Sequence, residues 1–507
     1  MRDTKFGYRL LMFTTLIISG CSMCYELIIS SVSSYLVGDS VLQFSITIGL
    51  YMCAMGFGSY ASKFVKHNLF DKFVCVEMGV GMVGGLSSIV LFLANLYLES
   101  YTLVMYIEII VIGTLVGLEI PILTRIIEDN ASNLRVTLSS IFSFDYIGGL
   151  LGSIAFPLLL LPHLGYFATA FMVGCFNIAV ALVIVWKYAP YIKKAAAFKT
   201  AGALLFVLMA LGMVFSENIS QHIEGGLYRD KIIYSEHTKY QHLVLTKHKD
   251  DLRMFINGNI QFSSADEYRY HESLVHIPMS LLKKRDKVLI LGGGDGLAVR
   301  EVLKYNDVKQ ITMVDLDPGV IELCSTNSDI VKLNQGSLKS AKLSIINDDA
   351  YKYLENTKES YNLIIVDLPD PNDDSLNKLY TNVFYRLCKN ALDDEGLITV
   401  QSTSPYYAKE AFWCINKTIE GEGLCVKPYH VQVPTFGDWG FQLAGKNEIN
   451  VDDIDIECET KFLKNDNVKA LFSFGADEMT DKNKLAANTL SSPRLIHYYM
   501  EAERNWR

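Results

Sequence analysis

Lys287-Val-Leu-Ile-Leu-Gly292-Gly-Gly-Asp295-Gly296-Leu-Ala-Val-Arg-Glu301 reads as a buried strand, a glycine turn and the start of a helix. Val288 to Leu291 form the short continuous apolar run of a parallel strand covered on both faces. Gly292, Gly293, Gly294 and Gly296 strip the turn of side chains, so a ligand can touch bare backbone. Leu297 to Lys304 continue in good helix formers, which places a helix N-terminus with free N–H groups beside the turn.

Downstream strands carry acids at their tips. Gln310-Ile-Thr-Met-Val-Asp315-Leu-Asp317 follows the turn by about twenty residues, the spacing at which an acid meets ribose hydroxyls in nucleotide-binding βαβ units. Leu343 to Ile346 runs into Asn347-Asp348-Asp349-Ala350, and Asn362 to Val366 into Asp367-Leu-Pro-Asp370-Pro371. In an open parallel sheet the carboxyl ends of the strands converge, so Asp315, Asp349 and Asp367 are expected around one crevice with the glycine turn. A dinucleotide fits this turn poorly: Val299 occupies the third small position of G-x-G-x-x-G, and Asp295 sets a carboxylate where a pyrophosphate needs neutral backbone. A positively charged nucleoside suits it better.

Before this domain, residues 231–264 alternate in β-branched and aromatic side chains, and Asn257-Gly258 is a two-residue hairpin signal, predicting a small antiparallel β domain. Asp266-Glu-Tyr-Arg-Tyr-His-Glu272 then leads into a helix, as either a capped, solvated start or part of the site.

Half of the 507 residues are hydrophobic, and the excess lies at the front. Seven apolar runs, Leu10–Leu36, Val41–Ser62, Phe73–Tyr97, Tyr101–Leu123, Leu138–Leu161, Ala168–Trp186 and Gly202–Phe215, predict a multi-pass α-helical membrane domain over residues 1–216. Glu26, Glu77, Glu108, Glu119 and Asp145 sit inside these runs and are expected to face the bundle interior. Cations cluster on alternate loops: Arg2, Lys5 and Arg9; Lys63, Lys66 and Lys72; Arg125 and Arg135; Lys187, Lys193, Lys194 and Lys199. That asymmetry places the N-terminus in the cytoplasm, and seven crossings would put everything after residue 216 outside. Nucleoside supply and the unpaired spacing of Cys324, Cys388, Cys414, Cys425 and Cys458 point the other way, to a cytoplasmic catalytic domain on the inner membrane. The net charge of −9 excludes no cation but argues against a nucleic-acid partner.

Taken together, Tyr240-Gln241, Asn257-Gly258, Gln261, Asp266-Glu267, Tyr270-His271-Glu272, Gly292–Gly296, Asp348-Asp349-Ala350, Asp367-x-x-Asp370-Pro371, Leu379-Tyr380 and Val433-Pro434-Thr435 resemble the spermidine synthase (polyamine aminopropyltransferase) family. Ser19-Gly20, Tyr25-Glu26 and Gly437-Asp-Trp-Gly-Phe441 are similar to its membrane-fused bacterial branch. The resemblance implies a Rossmann-like methyltransferase-type domain (286–445) behind the small β domain (217–285), with a C-terminal tail and helix (446–507). It also implies transfer of an aminopropyl group from decarboxylated S-adenosylmethionine to putrescine, without a metal.

By the same resemblance Asp367 takes the amine's proton, and Asp370 with Tyr240 and Gln241 holds the diamine. Asp266 binds the aminopropyl tail, Asp315 the ribose, and Asp348 or Asp349 the adenine side, over Gly292, Gly293, Gly294, Asp295 and Gly296. Phe436 and Asp315 depart from the family's usual tyrosine and glutamate. A homo-oligomer bound to the lipid bilayer is expected. The rival readings are an S-adenosylmethionine-dependent methyltransferase and a non-enzymatic polyamine sensor or transporter. The acidic tail reads as a solvated face without chemistry.

Overall fold

The computed structural model describes residues 4–38, 40–98, 100–128, 134–228, 230–371 and 375–506; Arg2 of the N-terminal basic group lies outside them. The chain forms two compact units, Met1–Asp230 and Lys231–Arg507.

The first unit is helical: α1 (Thr4–Val37), α2 (Ser40–Ala61), α3 (Leu69–Tyr97), α4 (Tyr101–Glu128), α5 (Leu134–Ala155), α6 (Leu161–Lys187), α7 (Ala195–Val214) and α8 (Ser216–Leu227). Among the described residues six helical elements are long and apolar enough to cross a membrane, against seven apolar runs in the sequence. The difference lies in Leu138–Lys187, which is 50 residues of continuous helical assignment. At 1.5 Å per residue that is about 75 Å, far beyond a ~30 Å hydrocarbon core. A π turn at Phe156–Leu160 and a non-helical Gly165 (φ 69°, ψ −176°) break it into two lengths matching the two runs.

Helices α1 and α5, α2 and α4, and α3 and α6 pack in pairs. At Gly58 a Cβ would lie 2.1 Å from the Thr114 carbonyl oxygen, so α2 and α4 meet backbone to backbone there, whereas Gly49 and Gly56 face open space. Glu26, Glu77, Glu108 and Glu119 are buried as expected. Asn177 Nδ2 donates to Glu77 Oε2 at 3.0 Å, and the Tyr25 hydroxyl donates to Asn177 Oδ1 at 3.4 Å. The boundary expected at 216 moves to 230, because α8 adds Ile219 and Ile223 to the helical core instead of opening the β domain.

In the second unit β1 (Lys231–His237), β2 (His242–His248), β3 (Asp251–Ile256) and β4 (Asn259–Ser263) form an antiparallel sheet in sequential order. Asn257 and Gly258 both take positive φ, 50° and 82°, as a two-residue primed turn requires. Helix α9 (Glu267–Leu281) leads to β5 (Lys287–Gly292), α10 (Leu297–Val302), β6 (Gln310–Asp315), α11 (Pro318–Thr326), α12 (Ser328–Leu333), β7 (Leu343–Asn347), α13 (Ala350–Asn356) and β8 (Tyr361–Asp367). Then come α14 (Asn382–Asn390), β9 (Leu392–Gln401), α15 (Lys409–Gly421), β10 (Cys425–Val433), β11 (Gly437–Gly445), α16 (Asn465–Val468) and α17 (Arg494–Trp506).

The large sheet has the order β10-β11-β9-β8-β5-β6-β7, with β11 antiparallel to both β9 and β10 and all other pairs parallel. This is the Rossmann-like methyltransferase arrangement. Alternate residues of β5 feed opposite cores, Val288 and Ile290 one, Leu289 and Leu291 the other, which explains its unbroken apolar run. Each such side chain contributes roughly 1.5–3 kcal/mol on burial. Leu243, Leu245, Met254 and Phe262 of the small sheet share the first core with β5, so that sheet and the large one form one unit. The tail is structural too: Leu463 and Val468 enter the first core, and Leu495 and Ala502 the second. Its apolar residues are spaced among charges, which made it read as solvated.

Candidate active site

The strand order reverses between β5 and β8, the switch point at which an open α/β sheet leaves a crevice. Gly292 ends β5 opposite Asp367 at the end of β8. A Cβ on Gly292, whose φ is 84°, would stand 2.0 Å from the Asp367 carbonyl oxygen, so only glycine allows this approach. Asp315 Oδ2 accepts from the Gly294 N–H at 3.1 Å and its Oδ1 from the Asp317 N–H at 3.0 Å, which ties the tip of β6 to the glycine turn. Asp295 Oδ1 accepts from the Leu297 N–H at 2.8 Å and caps the start of α10.

These carboxylates share one field. Burial pushes Asp315 up to about 6, with the Asp317 and Asp295 charges adding to the rise. Burial also pushes Asp295 up to about 6, while the His271 imidazole opposes the rise and the Asp367 carboxylate adds to it. Asp367 is raised by burial too, against the pull of His271 and of the Tyr270 hydroxyl, which donates to Asp367 Oδ1 at 2.6 Å. A cation in the crevice would favour the ionised form of all three.

The run 266–272 proves to be working structure throughout. Glu267 receives Arg300 through two bonds of 2.9 Å and His271 Nδ1 at 2.9 Å, joining α9 to the helix that follows the glycine turn. Although its burial acts to lower it, His271 is held up at about 9 by Glu267, and it faces Asp295 and Asp367 as an imidazolium. Glu272 accepts three backbone N–H bonds, from Lys461, Phe462 and Leu463, and so clamps the tail. Asp266 Oδ2 accepts from the Thr435 N–H at 2.7 Å and hydroxyl at 2.6 Å, while its Oδ1 is buried without a partner among the described residues. Asp266 also lines a cavity of about 550 Å³ with Asp251, Arg253, Ser263, Arg269 and Thr435.

Asp370 sits in a loop held by its backbone. The Tyr380 hydroxyl donates to the Pro369 carbonyl at 2.7 Å, and Gln401 Nε2 donates to the Leu368 carbonyl. Leu368 and Pro369 thus supply acceptors through their backbone. The Tyr499 hydroxyl on α17 donates to Asp370 Oδ2 at 3.0 Å, and Oδ1 is buried without a partner among the described residues. Burial pushes this carboxyl up to about 6, with the Tyr499, Gln401 and Thr403 side chains opposing it. Nothing in the tail's composition signals this contact of Tyr499.

Tyr240 is 45% exposed, and the backbone N–H groups of Tyr240 and Gln241 donate to Thr238 Oγ1, which itself donates to Asp317 Oδ2 at 2.7 Å. The pair is therefore anchored beside the β6 tip, and the tyrosine on the Asp367 carboxylate is Tyr270. Asp349 is occupied: Oδ1 caps α13 through Tyr351 at 2.9 Å, and Oδ2 pairs with Lys378. Asp348 is exposed and, among the described residues, accepts only from the Asp349 N–H, which makes it the freer of the two. Phe436 stands edge-on to Tyr270 at 6.2 Å and packs on Trp439 at 5.1 Å, and Trp439 Nε1 is buried without a partner among the described residues. Among the described residues His430, Asp438 and Glu478 are the group compact enough for a metal ion; there His430 Nδ1 meets Asp438 at 2.8 Å and Nε2 meets the Ser473 carbonyl at 2.8 Å.

A glycine turn at the switch point under a ring of strand-tip carboxylates, on a methyltransferase-type sheet, defines a Rossmann-like group-transfer enzyme. Comparison narrows the class. Residues 267–453 match the family described as Spermine/spermidine synthase domain. The polyamine aminopropyltransferase of Oceanobacillus iheyensis is 41% identical over 510 residues, spanning 100% of this chain and 99% of the relative. That of Leptospira interrogans is 40% identical over 496 residues, 98% of each. The spermidine synthase crystal structure from Thermotoga maritima is similar at 27% identity and a TM-score of 0.45, over 48% of this chain and 84% of that one. The chain belongs to the polyamine aminopropyltransferase family.

Proposed function

We propose that the crevice transfers the aminopropyl group of decarboxylated S-adenosylmethionine to putrescine, giving spermidine and methylthioadenosine. The observation that carries this reading is the Gly292–Asp367 pairing at the switch point, which sets a carboxylate directly beside the bare turn. The sulfonium carbon is already activated, because its leaving thioether is neutral and needs no general acid. The protein has to place an amine in line with that carbon and keep it unprotonated.

Asp367 accepts the amine's proton, with Tyr270 fixing the carboxylate's orientation and His271 favouring its ionised form. Asp370, through its unpartnered Oδ1, holds the far ammonium of the diamine. Asp266, through its own unpartnered Oδ1, takes the primary ammonium of the donor's tail; the carboxylate of intact S-adenosylmethionine would be repelled there, which disfavours methyl transfer. Asp315 takes the ribose and Asp348 the adenine side. Incubation of the purified protein with decarboxylated S-adenosylmethionine and putrescine tests the reading. Methylthioadenosine and a product heavier by one aminopropyl unit are expected. A methylated product, or none with any di- or polyamine, overturns it.

We further propose that the helical unit anchors the enzyme in the inner membrane, with the catalytic unit in the cytoplasm where the nucleoside donor is made. Seven crossings from a cytoplasmic N-terminus would export that unit, so this orientation requires one of the apolar segments not to cross. A protease-access test of the C-terminus in right-side-out vesicles decides: protection supports the proposal, cleavage reverses it.

A further inference from the structure

A second set of reactive groups meets α9 at His276, further along the helix than Tyr270. Cys458 Sγ is 3.3 Å from His276 Nδ1, and His276 Nε2 is 2.7 Å from Glu301 Oε2. His276 and Glu301 are buried, while Cys458 is partly exposed. A carboxylate can only accept, so Glu301 fixes the proton on Nε2 and leaves Nδ1 as the acceptor, shared between the Cys458 thiol and the Tyr305 hydroxyl at 3.0 Å. Nucleophile, imidazole and orienting acid thus stand in the order that activates a thiol. Glu301 is itself fixed by Arg300 Nε at 2.7 Å and Lys304 Nζ at 2.6 Å.

The groups facing the sulfur are His276 from α9 and, from the segment after α10, Lys304 and Tyr305, whose hydroxyl is 3.7 Å from Sγ. The guanidinium of Arg285 covers the Tyr305 ring at 4.7 Å and pairs with Glu457 at 3.4 Å. Burial acts to raise the Cys458 thiol, yet His276 brings it below its ordinary value. None of these residues has a part in aminopropyl transfer as proposed above.

We propose that Cys458, His276 and Glu301 form a thiol-activating relay that makes Cys458 a site of oxidation by peroxides and of alkylation by electrophiles. With hydrogen peroxide the thiolate attacks one oxygen and the O–O bond breaks. Sulfur is oxidised to the sulfenic acid, and the departing hydroxide takes the His276 proton to leave as water.

The full chain carries its own control, since Cys425 is exposed. Limiting iodoacetamide at about pH 6.5, followed by peptide mass spectrometry, is expected to label Cys458 on the order of tenfold faster than Cys425, with the gap closing as pH rises towards the ordinary thiol range. Peroxide followed by dimedone is expected to leave its adduct on Cys458. His276→Gln should abolish the gap; if that variant does not fold, the wild-type pH profile decides alone. Equal or faster labelling of Cys425 at that pH, or a Cys458 rate that follows an ordinary thiol titration, overturns the proposal. Labelling is read without substrate, so its failure is distinct from failure of the transferase reading.

Discussion

The Tyr270 hydroxyl donates to Asp367 Oδ1 at 2.6 Å, across 97 residues of sequence. A hydrogen bond to an ionised carboxylate lowers its pKa and is worth about 1.5–3 kcal/mol. Tyr270→Phe keeps the ring against Phe436 and Phe441 but removes the bond. The base must be ionised to act, so its pKa rises and the acid limb of the kcat profile moves to higher pH. We expect kcat at neutral pH to fall about tenfold or more, with partial recovery in alkaline buffer and unchanged nucleoside binding. A profile that overlays the wild type would remove Tyr270 from the mechanism.

Asp367→Asn keeps the size of the side chain and deletes the base. A positioned general base contributes on the order of 10²–10⁴ in rate, and that loss is expected in single-turnover formation of methylthioadenosine. Binding of methylthioadenosine by calorimetry should persist, because Asp315 and the glycine turn, not Asp367, are proposed to hold the nucleoside. Retained turnover assigns the proton to another group.

The His271–Glu267–Arg300 cluster has a pH signature. His271 is held up at about 9 from an ordinary 6.5, so its stabilisation is complete below 6.5 and is lost as pH rises through 9. Glu267, despite its burial, is held down at about 2 by His271 and Arg300, so its share is lost only as pH falls towards 2. The thermal midpoint of the wild type is expected to decline between pH 6.5 and 9. His271→Gln should start lower, by the equivalent of about 3–5 kcal/mol for a broken buried pair, and stay flat over that window. Parallel curves would mean that His271 is neutral.

A Cβ at Gly294 would stand 2.7 Å from Asp315 Oδ2 and 3.0 Å from Val320 Cγ1. Gly294→Ala must therefore push Asp315 off the Gly294 N–H and tilt the acid proposed to take the ribose. We expect KM for the donor to rise roughly tenfold, the cost of one such hydrogen bond, with KM for the amine little changed. A rise in the amine KM alone would place Asp315 on the wrong side of the crevice.

The parts of this architecture that were legible in the sequence are those with a local signal. The unbroken apolar run of β5, the glycines after it, Asn257-Gly258 and the acids at strand tips each have a mechanism confined to a few residues, and each stands where it was expected. Contacts closed only by tertiary folding were not legible. An i,i+4 pair such as Glu267–His271 reads the same on a solvated helix as in a buried cluster, and only Arg300, 33 residues on, distinguishes them. Tyr240 was assigned to the amine by family resemblance, and the Thr238–Asp317 bond that anchors its loop beside β6 was not legible. Seven apolar runs became six helical elements because a π turn and Gly165 let one assignment continue through the break.

Tyr499 is the clearest instance, 129 residues from the Asp370 it touches and on a helix that looks like a dispensable end. Its hydroxyl holds Oδ2, and Oδ1 is proposed to take the substrate, so Tyr499→Phe should remove one of the bonds that oppose the effect of burial and raise the carboxyl's pKa further, with Gln401 and Thr403 still opposing it. The ionised form that binds an ammonium is then lost at higher pH than in the wild type. KM for the diamine is expected to rise about 3- to 10-fold at pH 7, and more steeply below it, with donor binding untouched; a hydrogen bond of ordinary strength accounts for that range. Steady-state kinetics with varied putrescine at pH 6, 7 and 8 test it, and an unchanged diamine KM at all three would make α17 a purely structural cap.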